Sequence, residues 1–393
     1  MKILFVTSSP LEANTSVMIS NIALLEGFKS LGHEITFISF KSYDNKKLNT
    51  ECFKGVKLIR IEPNQFYARL IKDSDNSSLK KNIKRIIMKY TRLIYHNISL
   101  YDNYKNAIKN LGTIELDEDY DLMISFSDPK SSHLLGLKIY NDNKNKIKTW
   151  FQHWGDPMTI DITRKSKLPA VYVEKQEEMI LEKANKVIYV SPFTCAKQIE
   201  MFPVLKEKIK FIPLAYRNEN KHTCENIIEK DEIVFGYYGS SNSRVRNIIP
   251  LYKAFEDIQD KSLKIVGDTD LELLNTNNIT IHSKRKSPND IEIEEKNTDI
   301  LIVLGNKIGT QIPGKIFYYA GTNKPILVIL ESTQKELWEY LSKLNRFILC
   351  ENNKGAIRNK ILNIRSEIIP EQLKPLDDFA PRKIAMDIIE LID

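Results

Sequence analysis

The sequence predicts an α/β protein built from two Rossmann-like, doubly wound parallel-sheet domains in tandem. Three observations carry that expectation. Short apolar runs of strand type alternate with helix-period segments along most of the chain, which is the pattern of βαβ units. The alternation is interrupted after Ala215 by the polar, nonperiodic "YRNENKHTCENIIEKDE", which reads as a linker. The chain is 393 residues long, more than one hydrophobic core usually holds, so two domains of roughly 150 to 200 residues are expected.

In order, "KILFVT" reads as a buried strand, and "TSVMISNIALLEGFKSLGH" as a helix that Thr15 or Ser16 caps. "EITFISF" closes the first βαβ unit. "VKLIRIE" (56–62), "YDLMISFS" (120–127), "IKTWFQH" (147–153), "NKVIYVS" (185–191) and "IKFIPLA" (209–215) continue the strand series. A second series follows the linker: "EIVFGYYG", "LKIVGD", "ITIHS", "ILIVLG", "PILVIL" and "RFILCE", with helices near 244–259, 314–321, 332–344 and 353–367. The last segment, "APRKIAMDIIELID", has the spacing of an amphipathic helix. The expected division is 1–215 for the first domain and 216–375 for the second.

Composition narrows the class. At 42% hydrophobic and 28% charged, with 14 Gly and 15 Pro, this is the chain of a folded protein, not a linker or tail. The opening "MKILFVTSSP" is too short an apolar run for a secretory segment, and no run approaches the ~20 residues that span a bilayer. Cys52, Cys195, Cys224 and Cys350 show no CxxC spacing, so neither a zinc site nor a disulfide framework is expected, and a reducing cytoplasm fits best. The net charge is +7, and residues 69–109 alone carry ten Lys or Arg against three Asp. Within that stretch "LKKNIKRIIMKYTRLIY" (79–95) is a basic amphipathic helix. It suits peripheral contact with the inner face of an anionic membrane or a lipid-linked substrate, and equally a core-facing helix with a solvated basic side. Nucleic-acid binding is not expected, because no module signature accompanies the charge.

Two loops carry anion chemistry. In "QIPGKIFYYAGTNKPILVIL" (311–330) a Pro-Gly-Lys triplet starts a helix after a strand. Unpaired N–H groups at such a start favour an anion, Gly314 lets a phosphate approach, and Lys315 adds a full charge. Pro313 is equally at home as a plain helix starter. "GYYGSSNSRVRN" (236–247) repeats the layout: Gly239, Ser240 and Ser241 can donate to phosphate oxygens, and Arg244 and Arg246 supply guanidinium forks. It is neither a P-loop nor a GxGxxG motif. The Asp268 and Asp270 of "GDTD" read as a turn after a buried strand, not a metal site. "TWFQHWGDPM" (149–158) sets His153 just past a strand end with Asp156 in the loop, where a His donates to phosphate or sugar and an Asp orients a hydroxyl or acts as base. Asp128 and His133 in "SFSDPKSSHLLG" repeat that layout less clearly.

Over nearly its whole length the sequence resembles the GT-B-fold glycosyltransferases, in particular the retaining group called family 4. "IPGKIFYYAGTNKPILVI" resembles that group's PxKxxEYxAxGKPVL stretch. "EIVFGYYGSSNSRVRNIIPLYKAF", "LKIVGD" and "LEKANKVIYVSPFTCAKQI" resemble its other landmarks. The resemblance implies two Rossmann-like domains facing a cleft, with a C-terminal helix (376–393) returning to the first. It implies a metal-independent, cofactor-free transferase that moves a hexose from a nucleoside diphosphate sugar to a glycan or lipid-linked acceptor of cell-surface polysaccharide synthesis, with retention. His153 falls near the group's active-site histidine, and Asp156 is expected to orient a hydroxyl. Gly239, Ser240, Ser241, Arg244, Arg246, Thr310, Gln311, Pro313, Gly314, Lys315 and Tyr318 are expected at the donor. Two departures stand out: Thr310 and Tyr318 occupy the positions of the group's two glutamates, and Ser240 that of an arginine. These losses also suit a catalytically silent GT-B partner or glycan-binding subunit. A nucleotide-sugar epimerase of the same fold would need cleft carboxylates that the sequence does not single out.

Overall fold

The computed structural model describes residues 1–13, 15–42, 50–53, 55–62, 97, 99–102, 104–164, 166–217, 230–256 and 258–392. The basic stretch 79–95 and most of the expected linker lie outside the described residues. Two compact units emerge: Met1–Asn21, Leu25–Ile212 and Ala385–Asp393 form the first, Ile22–Leu24 and Pro213–Ile384 the second.

The first unit is built on an eight-stranded sheet of order β3-β4-β2-β1-β5-β6-β7-β8. Its strands are β1 (Lys2–Val6), β2 (Glu34–Phe40), β3 (Thr50–Phe53), β4 (Val56–Ile61), β5 (Tyr120–Phe126), β6 (Ile147–Trp154), β7 (Lys186–Tyr189) and β8 (Ile209–Phe211). All pairings are parallel except β3 on β4. That antiparallel edge strand was not anticipated, because nothing in its four residues alternates strongly. Helices α1 (Ser16–Ser30), α2 (Tyr104–Lys109), α3 (Ser131–Asp142), α4 (Ala170–Leu181) and α5 (Pro192–Met201) connect the strands. Thr15 caps α1 by accepting the Met18 N–H, and Ser191 caps α5 by accepting that of Thr194. Trp150, Trp154, Leu135 and Tyr189 lie in its buried core.

The second unit carries a six-stranded, all-parallel sheet of order β11-β10-β9-β12-β13-β14. Its strands are β9 (Ile233–Tyr238), β10 (Lys261–Val266), β11 (Ile279–His282), β12 (Ile300–Leu304), β13 (Ile326–Leu330) and β14 (Ile348–Glu351). Strands β12 and β13 are buried at every residue, as expected when helices cover both faces. The helices are α6 (Ile249–Phe255), α7 (Pro288–Lys296), α8 (Gly314–Ala320), α9 (Lys335–Lys343), α10 (Lys354–Leu362) and α11 (Ile364–Glu367); α12 (Pro381–Ile389) begins in this unit and belongs to the first from Ala385 onward. Helix α6 begins at Ile249, not near 244, because Pro250 belongs in a first helical turn and lacks an N–H to continue an earlier one. Arg244 and Arg246 therefore stand in the loop.

Each strand order fixes where a ligand can enter. In an open parallel sheet the crevice opens where successive strands change direction across the sheet. In the first unit that point lies between β1 and β5, and in the second between β9 and β12.

Candidate functional site

The loops that follow β9 and β12 flank the switch point of the second unit, and both are held by short-range bonds. In the first, residues 239–247, the Ser240 carbonyl accepts from Tyr237 Oη at 2.6 Å and from Arg246 Nη1 at 2.9 Å. Asp270 accepts the Ser243 N–H at 2.8 Å and its hydroxyl at 2.6 Å, while the Ser241 N–H donates to the Asp268 carbonyl at 2.9 Å. The paired aspartates of "GDTD" thus shape this loop. Gly267 packs under it with φ of 147°, and a Cβ there would stand 2.2 Å from the Gly239 carbonyl oxygen.

The second loop, residues 305–313, is tied to the first by Lys307. Its N–H donates to the Val245 carbonyl at 2.7 Å and its Nζ to the Ser243 carbonyl at 2.9 Å. Within the loop Asn306 Nδ2 donates to the Gln311 carbonyl at 3.0 Å. Around the switch point several buried polar atoms have no hydrogen-bond partner: Ser241 Oγ, Arg246 Nε, Asn306 Oδ1, and both Gln311 Oε1 and Nε2. Each such atom costs roughly 1–3 kcal/mol in a folded protein. Their concentration in two neighbouring loops marks a place where a polar guest would repay that cost.

Lys315, at the start of α8, is already engaged within the second unit. Its Nζ lies 2.5 Å from Glu295 Oε1, with 35% of the Lys315 side chain and 8% of that of Glu295 exposed. It also lies 4.8 and 4.7 Å from the ring centres of Tyr318 and Tyr319. Tyr319 donates to the same carboxylate oxygen at 2.9 Å. The charge expected to be open to a diphosphate is therefore already met by a carboxylate of α7. Tyr318 is hydrogen-bonded by Arg217, and burial and Glu295 push its phenol up to about 12. Gly321 is pressed against the Tyr216 ring, so the first residues of the expected linker pack on α8. Gly314 is exposed and begins α8, with Pro313 buried just before it. Thr310 is half-buried beside Gln311, and Arg244 is exposed.

In the first unit, His153 is inside β6 and not beyond it, paired in register with Phe126 and Ile188. The strand continues through Gln152 and His153 because their polar atoms sit in a buried layer: Gln152 donates to the Ile180 carbonyl at 2.8 Å, and the His153 ring packs 5.4 Å from Phe126. Burial lowers the His153 imidazole to about 4, so it is neutral near pH 7. His133 is fully buried, stacked 4.1 Å from Trp154 and 2.8 Å by Nδ1 from Ser125 Oγ. Asp156 is half-buried in the next loop, which the buried Glu177 shapes by accepting the N–H groups of Met158 at 2.6 Å and Thr159 at 2.9 Å.

Sequence reasoning did not single out Lys130. It lies 2.7 Å from Asp161 and 3.5 Å from Asp128. Its pKa is raised by Asp128, Asp161 and Asp156 against the opposing effect of burial. The start of α3 beside it is closed by Asp102, which accepts the Ser131 N–H at 3.2 Å and hydroxyl at 2.7 Å. Ser8 and Ser132 lock the β1 loop onto the same turn. The switch point of the first unit is thus filled by its own hydroxyls and a carboxylate. Among the described residues no group of three or more His, Cys, Asp or Glu is placed to hold a metal, and no helix is long and apolar enough to cross a membrane.

No family model matches the sequence, and no curated protein matches it. Solved structures do match over the whole chain. The catalytic domain of starch synthase IV from Arabidopsis thaliana, bound to ADP and acarbose, has a TM-score of 0.62 at 9% identity, covering 100% of this chain and 98% of that one. Sucrose-phosphate synthase from Thermosynechococcus elongatus has a TM-score of 0.58 at 13% identity, covering 99% and 98%. HepE from Anabaena, in complex with UDP and glucose, has a TM-score of 0.53 at 13% identity, covering 100% and 97%. These are glycosyltransferases of the GT-B fold, and the chain has that fold.

Proposed function

We propose that the protein is a glycosyltransferase that binds a nucleoside diphosphate sugar at the β9/β12 switch point and transfers the sugar to a glycan or lipid-linked acceptor. The observation that carries this reading is the group of buried, unpartnered polar atoms on Ser241, Arg246, Asn306 and Gln311. A nucleotide donor is further supported by structural neighbours bound to UDP and to ADP.

Chemically, the leaving diphosphate is the main charge to stabilise. Arg246 Nε and the Ser241 hydroxyl are preorganised donors for it. No metal enters this account. The roles expected of His153 and Asp156 rest on the resemblance alone; His153 is neutral at pH 7 and so is not an acid. Retention and a hexose donor follow from the resemblance alone.

A second reading, a catalytically silent GT-B subunit, is favoured by one observation: Lys315 is neutralised by Glu295, and neither Thr310 nor Tyr318 supplies an acid. One experiment separates the two. A panel of UDP-, GDP- and dTDP-sugars is screened for thermal stabilisation, since a ligand that binds the native state raises its melting temperature, and then for release of free nucleoside diphosphate. Stabilisation with release supports the transferase, and stabilisation without release supports the silent subunit. No stabilisation by any member overturns the transferase.

A further inference from the structure

The unpartnered atoms of the two loops differ in chemistry. Ser241 Oγ and Arg246 Nε donate, and a phosphate oxygen satisfies either. Asn306 Oδ1 and Gln311 Oε1 only accept, and an ionised diphosphate has no hydrogen to give them. Asn306 is 4% exposed and Gln311 7%, so water does not compete freely for these atoms. With both polar atoms of Gln311 unpartnered, the argument does not depend on which way its amide faces. The stretch 305–313, "GNKIGTQIP", contains no carboxylate, so what it asks for is a neutral group bearing O–H or N–H.

Resting on the reading of the site above, we propose that Asn306 and Gln311 are its specificity-determining pair and read a neutral, donor-bearing part of the ligand. Sugar hydroxyls and the N–H edge of a base share that chemistry. Between the two amides, Lys307 and Ile308 are exposed and Gly309 has φ of 90°.

The test uses the full-length protein and Gln311→Met, which keeps the side-chain length and removes both polar atoms. Without ligand, the variant is expected to melt at the wild-type temperature or about 2 °C above it, because an unpaired buried amide is lost. A clear fall, including failure to fold, shows that the amide was already satisfied and overturns the proposal. With ligand, the probes are UDP-glucose, GDP-mannose and dTDP-glucose, their free nucleoside diphosphates, and inorganic pyrophosphate. If the amides read the sugar, the variant loses roughly tenfold in affinity for the nucleotide sugar while the free diphosphate is unchanged. If they read the base, it loses that factor for the free diphosphate while pyrophosphate is unchanged. Equal losses for all probes, or none for a ligand that stabilises the wild type, overturn the proposal and leave the site standing. No stabilisation of the wild type by any probe removes the site itself.

Discussion

Replacing Lys315 by Met is expected to weaken the fold and leave nucleotide affinity nearly unchanged. The structure sets the magnitude. Lys315 Nζ is 2.5 Å from a Glu295 carboxylate that is 8% exposed, and Tyr319 also donates to that oxygen. Removing one partner of a fully buried pair costs about 3–5 kcal/mol, whereas an exposed pair is worth at most about 1 kcal/mol. With the Lys315 side chain 35% exposed, a loss of about 1–3 kcal/mol follows. In a unit of this size that lowers the melting temperature by roughly 2–10 °C. The assay is thermal unfolding of Lys315→Met, Glu295→Gln and the double variant. Residues in direct contact should show a coupling of about 1 kcal/mol or more. Additive effects, or a Lys315→Met protein that melts like wild type and binds nucleoside diphosphate tenfold more weakly, would refute the reasoning and return Lys315 to the diphosphate.

Gly267→Ala should destabilise the second unit by about 2–4 kcal/mol, since a Cβ would meet a carbonyl oxygen at 2.2 Å from a positive-φ position. Denaturant titration measures the loss, and an unchanged midpoint contradicts it. Asp270→Ala should cost about 1 kcal/mol through its two bonds to Ser243, while Mg2+, Mn2+ and EDTA leave nucleotide affinity unchanged; metal-dependent binding lost in the variant would restore the metal reading. His153 is depressed to about 4 by burial, so the unfolded chain takes up the proton first. This group's stability is present above about pH 6.5 and is lost as pH falls toward 4. His153→Gln should therefore flatten the decline of stability between pH 7 and 5 by about 2 kcal/mol, and parallel pH profiles for the two proteins would contradict the assignment.

Much of the fold was legible because parallel strands buried on both faces are written as uninterrupted apolar runs. "ILIVLG" and "PILVIL" became β12 and β13, and the Thr15 cap of α1 is a local signal. What the sequence hid was pairing over distance. Glu295 comes from α7, whose "PNDIEIEEK" alternates more like a strand than a helix. Its one clear helix signal is the Ser287 cap, which accepts the Asp290 N–H. That carboxylate redirects Lys315, 20 positions later in the chain. The sequence puts His153 just past a strand end, since polar side chains usually end a buried strand; here the Ile180 carbonyl takes in Gln152 and the Phe126 ring packs against His153. The Arg246 and Ser241 loop was legible from its Gly, Ser and Arg content. Asn306 carries no such signal, since an amide after a strand is common and only the missing partner makes it informative.

Hydrogen exchange of the full-length protein, with and without a saturating nucleotide sugar from the stabilising set, tests the central claim most directly. Added protection concentrated in residues 239–247 and 305–313 is the predicted result. Protection that leaves both loops unchanged and falls on α8 around Lys315 and Tyr318, or on the first unit alone, would contradict it.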